Sequence, residues 1–361
     1  MSILKRLNWL NTLFILLTFI LGVSGTILLC VFGIVHWPTW IFAGAYTFWT
    51  GLCTTAGYHR LFAHKSYKAS WLVRFLLLLF ASTTFEGSAL EWSTDHRNHH
   101  LYTDTDKDPY NIKKGFWWAH IGWLFMLQPK KRDFSNVKDL SADSLIWWQH
   151  RYFPWIGAVM GFVFPTVVAA LWGDPLGGLL IAGVLRVVVN HQLTFCINSV
   201  CHLFGRQSYS RLSARDNWVT AIFTYGEGFH NFHHQFPLDY RNGVRAFHFD
   251  PTKWLIYALF RLGLVRDLRR IGEDRIIRYR LRMDEQSASA AKHVVLPLRE
   301  KIHHILNKIE ALEKACSNAS HRKNREYRRL LKSARHELKT YLGLWARVIR
   351  QQRRLGLVAQ M

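Results

Sequence analysis

Four long stretches with almost no charge constrain this chain most. Leu10 to Val35, Trp40 to Tyr58 and Pro154 to Trp172 hold no Asp, Glu, Lys or Arg, and Leu176 to Leu203 holds only Arg186. About 20 apolar residues suffice to cross the hydrocarbon core of a bilayer as a helix. Lipid offers no partners to backbone polar groups, so spans must be helices or closed barrels, and continuous apolar runs predict helices. The links "HWP" after the first run and "GDP" after the third carry no Lys or Arg. Basic residues gather instead at Lys5 and Arg6, at Arg60, Lys65 and Lys68, and at Arg206, Arg211 and Arg215. Because Lys and Arg stay on the cytoplasmic side, the pattern predicts two helical hairpins with both termini and every long polar segment in the cytoplasm. The first run is too long for the apolar part of a signal peptide, and no small-residue cleavage site with a secreted domain follows it.

The expected organisation is a membrane domain over residues 1–270 and a basic helical extension over 271–361. In the first polar lobe, Trp71 to Phe85 is apolar but short and contains Arg74, which predicts an interfacial or buried helix rather than a span. The net charge is +23, and the 25 basic and 10 acidic residues between Arg261 and Met361 supply +15 of it. On a membrane protein such a tail suits an anionic lipid surface better than nucleic acid. Leu298, Ile302, Ile305, Ile309, Leu312 and Cys316 recur at helical spacing, and so do Leu330, Leu331, Ala334, Leu338, Tyr341, Leu342, Trp345 and Ile349. Two antiparallel amphipathic helices are expected, joined at "SNASHRKN" and read as a solvated helical appendage without chemistry. The five Cys form no CxxC pair, so neither a disulfide framework nor a zinc ribbon is indicated.

Of 19 histidines, nine form a pattern: His59 and His64 in "HRLFAH", His96, His99 and His100 in "HRNHH", His230, His233 and His234 in "HNFHH", and His202 in "NSVCH". On a helix, positions i, i+3 and i+4 share a face, so each HxxHH can aim three imidazoles at one point. His59 and His64 are offset by about 140° on an ideal α-helix and need a helix end. Imidazole suits Zn, Cu, Fe or Ni. Nine imidazoles are too many for one metal and about right for two. A structural zinc site is closed by four ligands, usually including Cys, whereas an all-nitrogen double site with open positions points to redox chemistry with oxygen, and to iron first. The acidic stretch "DTDKD" is not an EF-hand, because counting from Asp104 puts Pro109 at the sixth position and Gly115 at the twelfth. Asp104, Asp106 and Asp108 are read as a turn with surface charges.

"GYHRLFAHKSY", "DHRNHH", "DPYN", "GFWWAHIGW", "NSVCH" and "GEGFHNFHHQFPLDYRNG" together resemble the integral-membrane fatty acyl desaturases of the stearoyl-CoA (Δ9) type. The likeness runs from about residue 38 to about 270, and the basic tail resembles that of bacterial members. The resemblance implies an all-α integral membrane protein: four transmembrane helices in two hairpins, a cytoplasmic helical cap holding a histidine-rich dimetal site, and a basic amphipathic tail. It implies two iron ions held by the nine histidines, with Asn198 reaching one through water, and O2 as co-substrate. The product would be a cis double bond in a saturated acyl chain. His230 at the head of the third box favours the Δ9 class. No HPGG haem-binding motif occurs, so electrons are expected from a separate haem or iron-sulfur carrier with its reductase. A bacterial inner membrane is the expected location.

Two departures bear on the acyl carrier. Thr94 stands where acyl-CoA members carry a basic residue before Asp95, and Leu127 and Gln128 stand where they carry a basic pair. Lys130, Lys131 and Arg132 follow closely and offer substitutes for the contacts to the CoA phosphates. An acyl-lipid substrate is therefore the alternative carrier, a membrane diiron hydroxylase the alternative reaction, and a metal-binding or transport protein the non-enzymatic reading. An apolar tunnel lined by aromatics is expected to place the chain. Removing hydrogen from an unactivated methylene needs a cofactor, because side-chain acids and bases cannot do it. Carboxylates should orient the imidazoles from behind; Glu86, Glu91, Asp95 and Glu227 are the candidates, with Asp95 alternatively touching substrate. His36, His120, His150, His248, His303 and His304 are read as structural, while His191, inside the fourth run near Arg186, is read as either functional or a structural polar contact.

Overall fold

The computed structural model describes residues 3–127, 133–287, 292–318 and 321–358. The basic cluster Lys130, Lys131 and Arg132, with Gln128, lies outside them. The chain divides into two compact units, residues 1–207 with 211–270, and residues 271–361 with 208–210.

In the first unit, helix α1 (Trp9–Val31) is capped by Asn8, whose side chain accepts from the Asn11 amide. Helix α2 (Trp37–Cys53) starts with Pro38 in its first turn and runs on without a break into a wide π turn over Thr54–Ala63. Helices α5 (Ser144–Ala170) and α6 (Pro175–Leu203) form the second pair. Asp174 ties the two hairpin turns together: it caps α6 by accepting from Gly177 N and also accepts from His36 N at 3.0 Å and the Thr39 hydroxyl. Gly22 permits close approach of α1 and α6, since a Cβ there would lie 3.1 Å from the Leu185 backbone. Arg186, buried on α6, donates to the carbonyls of Ala182, Thr83 and Gly161 and stacks on Tyr46.

Among the described residues, three helices are long and apolar enough to cross a membrane, α1, α5 and α6. Their outward faces expose large apolar residues such as Leu17, Ile20, Leu28, Val163 and Val167. The second sequence run, on α2, is continuous helix but is diluted by Trp, Tyr, Thr and Gly and does not reach that apolarity. A fourth crossing is counted only if α3 (Trp71–Ala81, extended to Thr84) and α4 (Ala89–Tyr102) are taken as one span, bent by 78° at its break. Helix α3 buries Val73, Leu77 and Leu78 against Ala56, Ile146 and Ile256, while Trp71 and Leu72 stay exposed. Ser88 begins α4 with a capping box, its hydroxyl accepting from Glu91 N while the Glu91 carboxylate accepts from Ser88 N. The unit also holds the short helices α7 (Trp218–Phe223), α8 (His230–Gln235) and α9 (Pro251–Arg261), the last capped by Asp250.

The second unit holds α10 (Glu273–Ser287), α11 (Lys292–Asn318) and α12 (His321–Val358). Ile302, Ile305, Leu306 and Ile309 of α11 pack with Leu331, Ala334, Trp345 and Ile349 of α12. Leu330, read from the sequence as part of that stripe, is exposed instead, and α10 adds Leu281 to the core, a third helix that the stripes had not indicated.

Candidate metal centre

The three histidine boxes arrive on separate elements. His59 and His64 lie at the wide turn that ends α2. There the His64 amide donates to the His59 carbonyl five residues back, at 3.1 Å. A five-residue hydrogen-bonded turn stacks residues that an α-helix would splay, and the two ring centroids are 4.8 Å apart. His96, His99 and His100 ride on α4, His202 on the last turn of α6, and His230, His233 and His234 on α8.

These nine gather into two groups whose ligand atoms lie within 4.8 Å of one another: His59, His64, His96, His100 and His233 in one, and His99, His202, His230 and His234 in the other. Each group could hold a metal ion. Eight of the nine side chains are buried, with His100 half-buried. The boxes do not each converge on one point, as their spacing had suggested. In both, the i and i+4 histidines enter one group and the i+3 histidine enters the other. Residues i+3 and i+4 differ by about 100° around a helix, so a helix lying between two centres serves both.

The donor set fits cations. His59 Nε2 lies 2.9 Å from His233 Nε2, and His64 Nε2 lies 2.8 Å from His96 Nε2. In the other group His202 to His230 and His230 to His234 measure 3.1 and 3.0 Å between Nε2 atoms. Two of the opposite ring nitrogens face acceptors, whereas His230 Nδ1 has no hydrogen-bond partner among the described residues. His99 Nδ1 donates to Asp108 Oδ1 at 2.9 Å, and His202 Nδ1 meets Ser213 Oγ at 2.6 Å. Glu227 Oε2 lies 2.9 Å from His59 Nδ1, a close contact without linear hydrogen-bond alignment. A carboxylate behind Nδ1 keeps the proton there and leaves the Nε2 lone pair free. Lone pairs facing one another at such distances repel unless a cation lies among them. Burial, then the neighbouring rings, hold His230, His233 and His234 well below the ordinary imidazole pKa, so they are neutral donors.

Behind the first group runs a buried ion network. Arg60, 1% exposed, donates to Glu227 Oε1 at 2.9 Å, Asp250 Oδ1 at 3.0 Å and the Tyr240 carbonyl at 2.8 Å. Asn242 donates to Glu227 Oε2 at 2.6 Å. Burial alone would raise the Glu227 pKa, but His59 and Arg60 outweigh it and hold the group below its usual range. A buried carboxylate is tolerable only when paired and hydrogen-bonded in this way.

The remaining expectations divide. Asn198 lies on α6 one turn before His202, half-buried, and its side-chain carboxamide makes no hydrogen bond to the described residues. Asp95 is half-buried on α4 beside His96. Glu91 closes the capping box of α4, accepting from Ser88. Glu86 accepts from Trp92 Nε1 at 3.1 Å and Thr194 Oγ1 at 2.9 Å, and the Trp92 ring lies 4.6 Å from His96. Asp108 corrects the sequence reading: it is no surface charge but 3% exposed, on His99. The chain turns back after Tyr102, through a left-handed Asp104, and brings Asp108 over the ring nine residues earlier. Its place at the head of "DPYN" was the available signal. Arg60 and Ser213 were also missed. His120 pairs with Ser199 and Gln192, and His191 with the Thr84 carbonyl, as structural histidines do.

The profile of the family described as fatty acid desaturase matches residues 34–266. This chain belongs to the fatty acid desaturase family. Its similar relatives include a probable acyl-CoA desaturase of Schizosaccharomyces pombe, 45% identical over 75% of this chain and 57% of that protein. Acyl-CoA desaturase 1 of Saccharomyces cerevisiae is 38% identical over 80% of this chain and 57% of its own length. Stearoyl-CoA desaturase 5 of Bos taurus is 39% identical over 66% of this chain and 73% of its own. The chain thus spans little more than half the length of the two yeast relatives. All nine clustered histidines and both carboxylates behind them fall inside the segment that the desaturase family profile covers.

Proposed function

We propose that this desaturase-family chain introduces a cis double bond, at the Δ9 position, into a saturated fatty acyl thioester, using O2 and two iron ions. The observation that carries the reading is the pair of buried, carboxylate-free imidazole groups, one of five histidines and one of four. His59, His64, His96, His100 and His233 would hold one iron; His99, His202, His230 and His234 would hold the other, with Asn198 near it. When bound, such a centre supplies the reductive activation of O2 that removal of hydrogen from an unactivated methylene requires. The chain's own residues do the rest. Glu227 and Asp108 keep protons on the Nδ1 atoms of His59 and His99, and Arg60 balances the Glu227 charge. Trp92, pinned by Glu86, walls the first group against water. The carrier is read as CoA by analogy with the acyl-CoA and stearoyl-CoA desaturases that the chain resembles. Thr94 is buried, with its hydroxyl on the Leu90 carbonyl, so it takes no part in binding a soluble head group. The proposed topology is four spans in two hairpins, with the histidine site and both termini on the cytoplasmic face and electrons delivered by a separate carrier protein.

The test is expression in a host unable to make unsaturated fatty acids, followed by mass spectrometry of its lipids. Growth without supplements and a double bond between C9 and C10 are expected. Isolated membranes given saturated acyl-CoA or saturated phospholipid then identify the carrier. A hydroxylated chain without a new double bond would overturn the proposal in favour of a hydroxylase. Absence of both iron and any O2- and reductant-dependent product would leave a metal-binding or transport role.

A further inference from the structure

Helix α12 carries 12 Lys and Arg against two Glu over its 38 residues. Its apolar side, Leu331, Ala334, Leu338, Trp345 and Ile349, is taken up by the core of its own unit. At 100° per residue, Arg325, Arg329, Lys332, Lys339, Arg347 and Arg350 fall on the opposite side, within an arc of about 80°, over about 38 Å of helix. All six are exposed, and none has a carboxylate partner among the described residues. The acids stand apart from them. Glu326 and Glu337 lie on the flank of the helix, and Glu337 pairs with Lys301. A straight row of unneutralised cations repels itself and is costly to keep.

We infer that this stripe is a docking face for an anionic phospholipid surface, laid along the bilayer that the first unit spans. The inference rests on membrane insertion of the chain and not on its chemistry. Covalent attachment to inserted helices holds the stripe near lipid head groups at high effective concentration, and each Lys or Arg near an anionic leaflet adds attraction that salt screens. The stripe contains no aromatic platform of the kind that stacks single-stranded bases, and no apolar residue that would insert it into the acyl layer. It therefore adsorbs by charge.

The test uses the full chain with Gly343→Cys, at the centre of the exposed face, spin-labelled and reconstituted into nanodiscs of phosphatidylcholine with or without about a third phosphatidylglycerol. Labelled wild-type chain supplies the background from native cysteines. A nickel-chelating lipid in the disc reports proximity to the head groups. Relaxation of the label is expected in anionic discs, and its loss in neutral discs or in 0.5 M salt, a concentration set by the short screening length there, below about 8 Å. Lys332→Glu with Lys339→Glu and Arg347→Glu should cut the docked-to-free ratio about tenfold or more, with helical content by circular dichroism unchanged. Relaxation that ignores lipid charge overturns the inference, as does displacement of the label from anionic discs by RNA at physiological salt, which would make nucleic acid the partner. A chain that does not enter the discs overturns the membrane placement itself, whatever its activity.

Discussion

Removing the Asp108 carboxylate should loosen metal held by the second histidine group. Asp108 is buried and accepts two hydrogen bonds, from His99 Nδ1 at 2.9 Å and from the Tyr110 amide at 3.2 Å. Asp108→Asn keeps an acceptor but loses the charge, and charge-assisted hydrogen bonds are about twice as strong as neutral ones. Asp108→Ala loses both bonds and frees His99 to turn or to move its proton to Nε2. Changes to such partners cost about 10- to 100-fold in metal affinity, or about 1.4 to 2.7 kcal/mol. The Asn variant belongs near the lower figure and the Ala variant near the upper. The assay is iron retained per chain after dialysis against graded chelator, with thermal unfolding of the metal-free protein alongside. Half of the iron should leave at a lower chelator concentration, because the five-histidine group is untouched. Asp106→Ala, at an exposed position, is the control. If Asp108→Ala retains iron as that control does, the reasoning that Asp108 sets the His99 tautomer is wrong.

Lys253 is buried and donates to the carbonyls of Gly243, Arg245 and His248 at 2.6, 2.7 and 3.0 Å. Lys253→Met should therefore destabilise the fold by about 3 kcal/mol or more, read as a lowered unfolding temperature. Gly228→Ala should destabilise by about 1 to 3 kcal/mol through overpacking and reduce iron content, since its Cβ would lie 2.2 Å from Ala221 N. Asp139 is held at a pKa of about 2: partial burial raises it, and hydrogen bonds with charge attraction from Arg97 and Lys65 more than offset that. A depressed carboxylate pKa contributes stability above the unfolded value and loses it as pH falls through the folded one. The difference in unfolding temperature between wild type and Asp139→Asn should thus be full above about pH 4 and vanish toward pH 2. It should be modest, because the pair is partly solvated.

Which residues to look at was partly legible in one dimension. The nine histidines as a set and the apolar character of α1, α5 and α6 follow from residue type and spacing, because ligand chemistry and span length are local properties, whereas Glu227 was one of four candidate carboxylates. How they combine was not. Whether His99 shares a centre with His96 depends on where α8 and the end of α6 lie beside α4, and that is set by packing between segments more than 100 residues apart. The same holds for Asp108, whose burial needs the chain to double back, and for Arg60, which reads as a cytoplasmic charge until Glu227 and Asp250 close around it. Spacing decides which side chains face the same way along one element. Only tertiary contact decides what they face, because a helix face is defined locally and its neighbour is not.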